Sequence, residues 1–226
     1  MLWIVVAILV MGLVLGPSFW VRRVMNQHAT DRPDFPGTGG EFARHLLDHH
    51  GLQDVKVEVT PHGDHYDAEA KAVRLSRNLH DGRSVTAVSV AAHEVGHALQ
   101  DASGYRPLKW CQRLIMTANV TDRIGTVIVM ALSTLGAAVL SPRFFLFGVL
   151  AIVLIGLIRV AAHLVTLPVE FDASFARALP IMVQGKYLPD EDVPAVRSVL
   201  KAAAYTYVAA SLIQVLNILR ILRVLR

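Results

Sequence analysis

Cysteine and charge are both scarce in this sequence. Among its 226 residues there is one cysteine, Cys111, and only 18% of the side chains are charged. A single cysteine excludes an internal disulfide and a metal site built from several thiolates, and it is typical of a reducing compartment. Cys111 lies in LKWCQRL, where we expect an inert, partly buried thiol rather than a catalytic one.

Apolar side chains dominate instead. They make up 54% of the chain and give a mean hydropathy of +0.46, too apolar for an ordinary soluble domain. Residues 1–21 carry no charge and are long enough to cross about 30 Å of hydrocarbon. They lack the basic start and cleavage site of a secretory signal, so we predict a retained anchor. Further apolar runs cover residues 124–140, 144–165 and 202–219.

Basic residues beside these runs predict the orientation. Six of them flank the loop between the first two runs: Arg22, Arg23, Arg32, Lys109, Arg113 and Arg123. The large loop is therefore predicted to be cytoplasmic. The arginines of the C-terminal RILRVLR contradict this if the last helix crosses, and agree only if it lies on the inner surface. The net charge of +4 is explained by contact with the lipid bilayer, so no nucleic acid partner is expected.

The stretch AAHEVGHALQ, residues 91–100, contains the candidate metal ligands and the candidate general base. On a helix His93 and His97 lie one above the other and can face one metal ion. Glu94 lies about 100° round the helix, beside the metal, where it suits a general base. Ser84 is a plausible N-cap for a helix running to about Gln100, and Gly96 would let neighbouring backbone approach closely. The stretch predicts a catalytic zinc helix.

A small mixed domain is predicted before this helix. Residues 41–50 form a short helix closed by Gly51, residues 55–60 and 71–76 are strands, and PHGDH between them is a turn. The fold class is thus a mainly α membrane protein, with three to four transmembrane helices and a small α+β zincin-like catalytic domain. Five segments are predicted: an anchor (1–21), a catalytic region (22–123), a transmembrane hairpin (124–165), a segment with a third zinc ligand (166–201) and a transmembrane or interfacial helix (202–226).

Three stretches together carry a resemblance. DHYDAEAKAVRLS, GRSVTAVSVAAHEVGHALQDA and LPVEFDAS, in this order, resemble the bacterial membrane-bound neutral zinc metallopeptidases of the YugP type. HEVGH with the later EF is more loosely similar to the HtpX-type membrane metallopeptidases. The resemblance implies Zn²⁺ as the cofactor and a polypeptide as the substrate, with a role in membrane-protein processing or quality control.

The resemblance also implies a downstream glutamate as third zinc ligand, matched by Glu170. The hairpin returns the chain to the side of His93, and Glu170 follows Pro168, which favours a helix start. Asp172 competes, but it is shorter and lies on a different face. Thermolysin-like sites have an acidic residue four positions after the third ligand, and here that position is Ser174. Ser174 either orients a ligand histidine or makes a simple helix contact.

Two further residues are candidates for contact with the substrate. His65 and Tyr66 either line the cleft and donate to the developing oxyanion, or belong to a solvent-facing turn. The remaining histidines have no competing ligand spacing, and His163 is expected to pack at a helix end.

The predicted function is a membrane-bound zinc endopeptidase, with the oligomeric state left open. One alternative is a non-catalytic membrane adaptor with a structural zinc helix. The other is a site-2-type intramembrane protease, which would need a later Asp-Gly partner, whereas Asp81-Gly82 precedes the motif.

Overall fold

The structure is a computed structural model and describes residues 2–139 and 142–224. It is mainly helical with one small sheet, which confirms that part of the predicted fold. Met1, Leu140, Ser141, Leu225 and Arg226 lie outside the described residues. The break of the predicted hairpin, expected over residues 141–143, falls in part on them, and helix α6 already begins at Pro142. The helices are α1 (Leu2–Gln27), α2 (Gly39–His49), α3 (Arg77–His80), α4 (Val85–Ala102), α5 (Arg106–Val139), α6 (Pro142–Phe171), α7 (Leu179–Gln184) and α8 (Val193–Val224). The strands are β1 (Lys56–Val59), β2 (His65–Asp67) and β3 (Ala72–Leu75).

The chain divides into two compact units. One comprises Pro17–Leu108 and Leu167–Thr206, and it holds the sheet and α4; because it contains the predicted catalytic helix, we call it the catalytic unit. The other contains most of the apolar lengths of α1, α5, α6 and α8. Among the described residues, one helical stretch is long and apolar enough to cross a bilayer, Leu146–Gln184, with a mean hydropathy of 2.4 in its most apolar part. The three to four transmembrane helices therefore stay a prediction.

The sheet has the order β1-β3-β2, with β1 parallel and β2 antiparallel to β3. Strands β1 and β3 lie within the two predicted strands, residues 55–60 and 71–76. The turn predicted over PHGDH is wrong at its end, because His65 begins β2 and pairs with Arg74. Cross-strand hydrogen bonding to β3 stabilises an extended conformation that the local sequence does not favour.

Two helix starts show local capping. Ser84 Oγ accepts a hydrogen bond from the backbone of Ala87, so α4 begins where it was predicted. Helix α2 begins two residues before the predicted position, because Thr38 and Glu41 form a reciprocal capping box. Helix α4 is buried over nearly its whole circumference by α2, the sheet and the segment after α6. The motif helix is thus held on several sides.

The chain around Pro168 departs from expectation. Helix α6 continues through this proline to Phe171, so the predicted helix start at Pro168 is wrong, and Glu170 lies in the last turn instead of the first. Pro168 removes one helical hydrogen bond, a cost of about 3 kcal/mol that only surrounding packing can offset. The helix then widens into a π-helix, Asp172–Ala178, before α7.

Candidate metal centre

Helix α4 presents His93 and His97 on one face, one turn apart. Their ring centroids are 4.7 Å apart, and the rings are nearly perpendicular to each other. Both side chains are buried, His93 at 4% and His97 at 9% exposure. Two imidazoles buried side by side need a shared polar partner, because an unpaired ring nitrogen in the interior is costly.

Glu170 supplies that partner. Its Oε2 lies 3.2 Å from His93 Nε2 and 3.4 Å from His97 Nε2, and all three ligand atoms lie within 4.8 Å of one another. Ligand atoms about 2.0–2.1 Å from a tetrahedral zinc ion are roughly 3.3 Å apart. The two nitrogen-to-oxygen distances match this spacing. The three buried residues can therefore hold a zinc ion.

Ser174 forms a hydrogen bond with His93. Its hydroxyl donates to the backbone carbonyl of Leu200 at 3.2 Å and lies 2.9 Å from His93 Nδ1. With the serine proton directed at Leu200, the hydroxyl oxygen accepts from Nδ1–H, and Nε2 keeps its lone pair for a metal. Of the two alternatives for Ser174, this geometry favours the one in which it orients a ligand histidine.

Gln100 does the same for His97. Its Oε1 lies 2.9 Å from His97 Nδ1 and accepts that proton. Its amide nitrogen donates to the carbonyl of Val169 and to Asp172, both at 2.8 Å, and these two bonds fix which amide end faces the ring. Asp172 also accepts from Arg177 at 2.8 Å. The Asp172 carboxylate therefore lies behind His97 rather than in the ligand cluster.

Glu94 follows His93 on the helix and is 5% exposed. Within the described residues its carboxylate forms no hydrogen bond or ion pair to the protein. Burial raises the pKa of Glu94, an effect that the neighbouring His93 and His97 oppose. A carboxylate with a raised pKa and no protein partner can accept a proton from water and release it again.

His65 and Tyr66 lie in β2 and make other contacts. His65 Nδ1 lies 2.9 Å from the carbonyl of Gly63, and the Tyr66 hydroxyl donates to Asp101 at 2.9 Å. Burial, together with Asp101, raises the pKa of Tyr66, so this hydroxyl keeps its proton. In the part of the chain that the structure describes, the three-ligand cluster contains neither residue. Their role toward a substrate stays a prediction.

Sequence reasoning missed Gln100. The residue ends the quoted motif three positions after His97, on the same side of the helix, and it is fully buried. A glutamine on the buried side of an otherwise apolar helix was the available signal, because such an amide needs partners. The partners themselves, Val169 and Asp172, are about 70 positions away and could not be read locally.

A buried two-histidine, one-glutamate centre with an adjacent free carboxylate is the arrangement of a zinc-dependent hydrolase. Comparison of the sequence agrees: the chain belongs to the family described as "Putative neutral zinc metallopeptidase", whose sequence profile matches residues 3–226. This confirms the predicted family and zinc as its cofactor.

A relative from Bacillus subtilis (strain 168), named "Putative membrane protease YugP", is 35% identical to this chain. The alignment covers 97% of this chain and 95% of the relative. No solved structure matches the chain.

Proposed function

We propose that the protein is a membrane-bound zinc endopeptidase in which His93, His97 and Glu170 hold the metal and Glu94 is the general base. The observation that carries this is the convergence of the three ligand atoms within 4.8 Å of one another, with Glu170 Oε2 at tetrahedral spacing from both Nε2 atoms and both Nδ1 atoms already occupied as donors. Three protein ligands leave a fourth position for water, as hydrolytic sites require.

Each residue of the centre then has its own role in peptide hydrolysis. Bound zinc would supply a Lewis acid that polarises the scissile carbonyl and acidifies a water molecule. Glu94 takes the proton of the attacking water and passes it to the leaving amine. Ser174 and Gln100 accept the Nδ1 protons and so direct both Nε2 atoms toward the metal, and the burial of the centre excludes bulk water from the reacting groups.

The substrate class follows from the family, since a peptidase acts on polypeptides. The name of the B. subtilis relative and the apolar stretch Leu146–Gln184 support a membrane location. We propose a multi-pass protein of the inner membrane, with the catalytic unit in the cytoplasm and a role in processing or quality control of membrane proteins. A cysteine at exposed Asp54 would report the side, because the native Cys111 is buried. An impermeant maleimide that labels this cysteine in intact cells would contradict the cytoplasmic orientation.

Glu94 favours an endopeptidase over a non-catalytic adaptor. A structural zinc site has no use for a buried carboxylate without a hydrogen-bond partner, and keeping one is costly. The position of α4 within a unit that also holds a sheet likewise favours the endopeptidase over an intramembrane protease of the site-2 type.

The decisive experiment measures zinc and hydrolysis together in detergent-purified full-length protein. Wild type should contain one zinc per chain and cleave an unfolded protein such as casein. Glu94→Gln should keep the zinc and lose hydrolysis by about 10²- to 10⁴-fold, since only the base is removed. A zinc-free wild type that gains no zinc on reconstitution would refute the proposal, as would equal cleavage by the variant.

A further inference from the structure

A groove in the catalytic unit is lined by none of the three ligand residues of the metal centre. Its volume is about 670 Å³, and it is open to solvent. Phe171 and Phe175 form an aromatic wall with ring centroids 5.5 Å apart, and Arg197 and Lys201 of α8 line the groove as well. We call these four residues, with Asp172 and Ala176 beside them, the aromatic-basic groove.

The two cations of the groove are uncompensated. Arg197 and Lys201 are one helical turn apart, both are exposed, and neither has an ion-pair partner within the described residues. Asp172 is the one carboxylate among the lining residues, and its Oδ2 already accepts from Gln100 and Arg177. The groove therefore presents two free positive charges to an incoming anion.

An aromatic cluster continues the groove along α8. Tyr205 lies one turn after Lys201, and the Lys201 ammonium is 5.9 Å from its ring centroid. Tyr205 makes edge contacts with Phe171 at 5.6 Å and with Trp20 of α1 at 5.9 Å. Basic groups beside aromatic rings are the combination that proteins place at the headgroup level of a bilayer.

The positions of the aromatic residues along the chain also indicate a location at the headgroup level of a bilayer. Pro17, Leu167 and Thr206 are three of the four ends of the catalytic unit, and Trp20, Phe171 and Tyr205 each lie within four residues of one of these three positions. On the far side of each position the chain enters an apolar run. If those runs cross the bilayer, as proposed, three aromatic side chains from three helices come to the level where headgroups lie.

We infer that the aromatic-basic groove binds the phosphate headgroup of an anionic phospholipid, with Arg197 and Lys201 on the phosphate and Phe171, Phe175 and Tyr205 against the glycerol and upper acyl chain. This inference rests on the membrane location proposed above. Anionic lipids are concentrated on the cytoplasmic leaflet, where the catalytic unit is predicted to lie, and basic pockets beside transmembrane helices bind such headgroups.

The experiment uses full-length protein and the double variant Arg197→Gln/Lys201→Gln. The matched control, Lys56→Gln/Arg83→Gln, removes the same charge from exposed positions elsewhere in the catalytic unit. Native mass spectrometry in detergent with added phosphatidylglycerol should show lipid-bound protein for wild type and control. The groove variant should bind roughly tenfold more weakly. Phosphatidylcholine should bind weakly and equally to all three proteins.

Several outcomes would overturn the inference. Equal phosphatidylglycerol binding by the groove variant and the control shows that Arg197 and Lys201 do not hold the headgroup. Loss of the bound lipid on addition of millimolar inorganic phosphate shows a site for free phosphate instead. Fractionation of the cells into membrane and soluble protein tests the membrane location separately, and zinc content reports whether each variant is folded. A soluble protein would refute the location and the lipid site together, whereas a membrane-bound protein without selective lipid binding refutes the lipid site alone.

Discussion

Gly96 and Ala173 bring the motif helix and the π-helix into backbone contact. A Cβ atom on Gly96 would lie 2.7 Å from the carbonyl oxygen of Ala173, closer than side-chain carbons approach in folded proteins. This confirms the expectation that the glycine inside the motif lets neighbouring backbone approach. The contact joins the helix that carries His93 and His97 to the segment that follows Glu170.

We therefore expect Gly96→Ala to push the π-helix away from α4. The change should cost about 1–3 kcal/mol of stability, as overpacking does, and should weaken zinc binding because Glu170 and Ser174 move with the segment. Thermal unfolding with and without zinc measures both effects. Gly125→Ala is the control, because its Cβ would meet only Ile155 at an ordinary 3.4 Å. Similar losses in both variants would contradict the proposed contact.

Gln100→Ala should weaken zinc binding roughly 10- to 100-fold, as loss of an orienting partner does at other metal sites. The physical reason is that the His97 ring loses the acceptor that keeps its proton on Nδ1. Competition with a chelator measures the affinity, and nitrogen-15 shifts of the His97 ring in metal-free protein above its pKa of about 9, where the ring is neutral, report the tautomer. Gln53→Ala, which removes one exposed hydrogen bond to Asp48, should change neither. An unchanged tautomer in Gln100→Ala would rule out this role.

Glu170→Gln should lower zinc retention by at least about 10-fold, because a neutral amide is a much weaker ligand than a carboxylate. Asp172→Asn should have a smaller effect, since Asp172 acts through Gln100 and Arg177 rather than as a ligand. Zinc content after mild chelation compares the two variants. Full occupancy in Glu170→Gln would remove this residue from the ligand set.

Zinc binding should release protons and strengthen as the pH rises. Burial lowers the pKa of His97, but the Glu170 carboxylate and its hydrogen bond outweigh this and raise it to about 9 without metal. A protonated imidazole cannot bind zinc, so the apparent affinity should fall about tenfold per pH unit below that value.

Calorimetry at neutral pH in buffers of different ionisation enthalpy should then show that His97 and Glu170 together release roughly one proton per zinc bound.

In the metal-free protein, the stability of the fold changes with pH in the direction opposite to the zinc affinity. A histidine with a raised pKa stabilises the fold below its unfolded value of 6.5, and this contribution disappears as the pH rises through about 9. The increase in Tm caused by zinc should therefore grow over that interval. A constant increase would show that His97 is not protonated in the metal-free site.

Short-range features of the protein could be predicted from the sequence. The spacing of His93 and His97, the position of Glu94 beside them and the Ser84 cap all follow from helical geometry within a few residues. Strand β1 follows from the local alternation of apolar and polar residues, and β3 lies within the second predicted strand. The capping box of Thr38 and Glu41 is also a local pattern, and it starts α2 two residues before the predicted position.

Other features were decided only by the tertiary structure. The local sequence predicts that a helix starts at Pro168. In the structure α6 continues through this proline, stabilised by packing, and Glu170 lies in its last turn, 77 positions from His93 in the sequence. The partners of Gln100, the acceptor of the Tyr66 proton and the strand at His65 likewise depend on segments distant in the chain. The physical reason is that a hydrogen bond between distant segments gains its free energy only after the core has brought them together, so no local pattern encodes it.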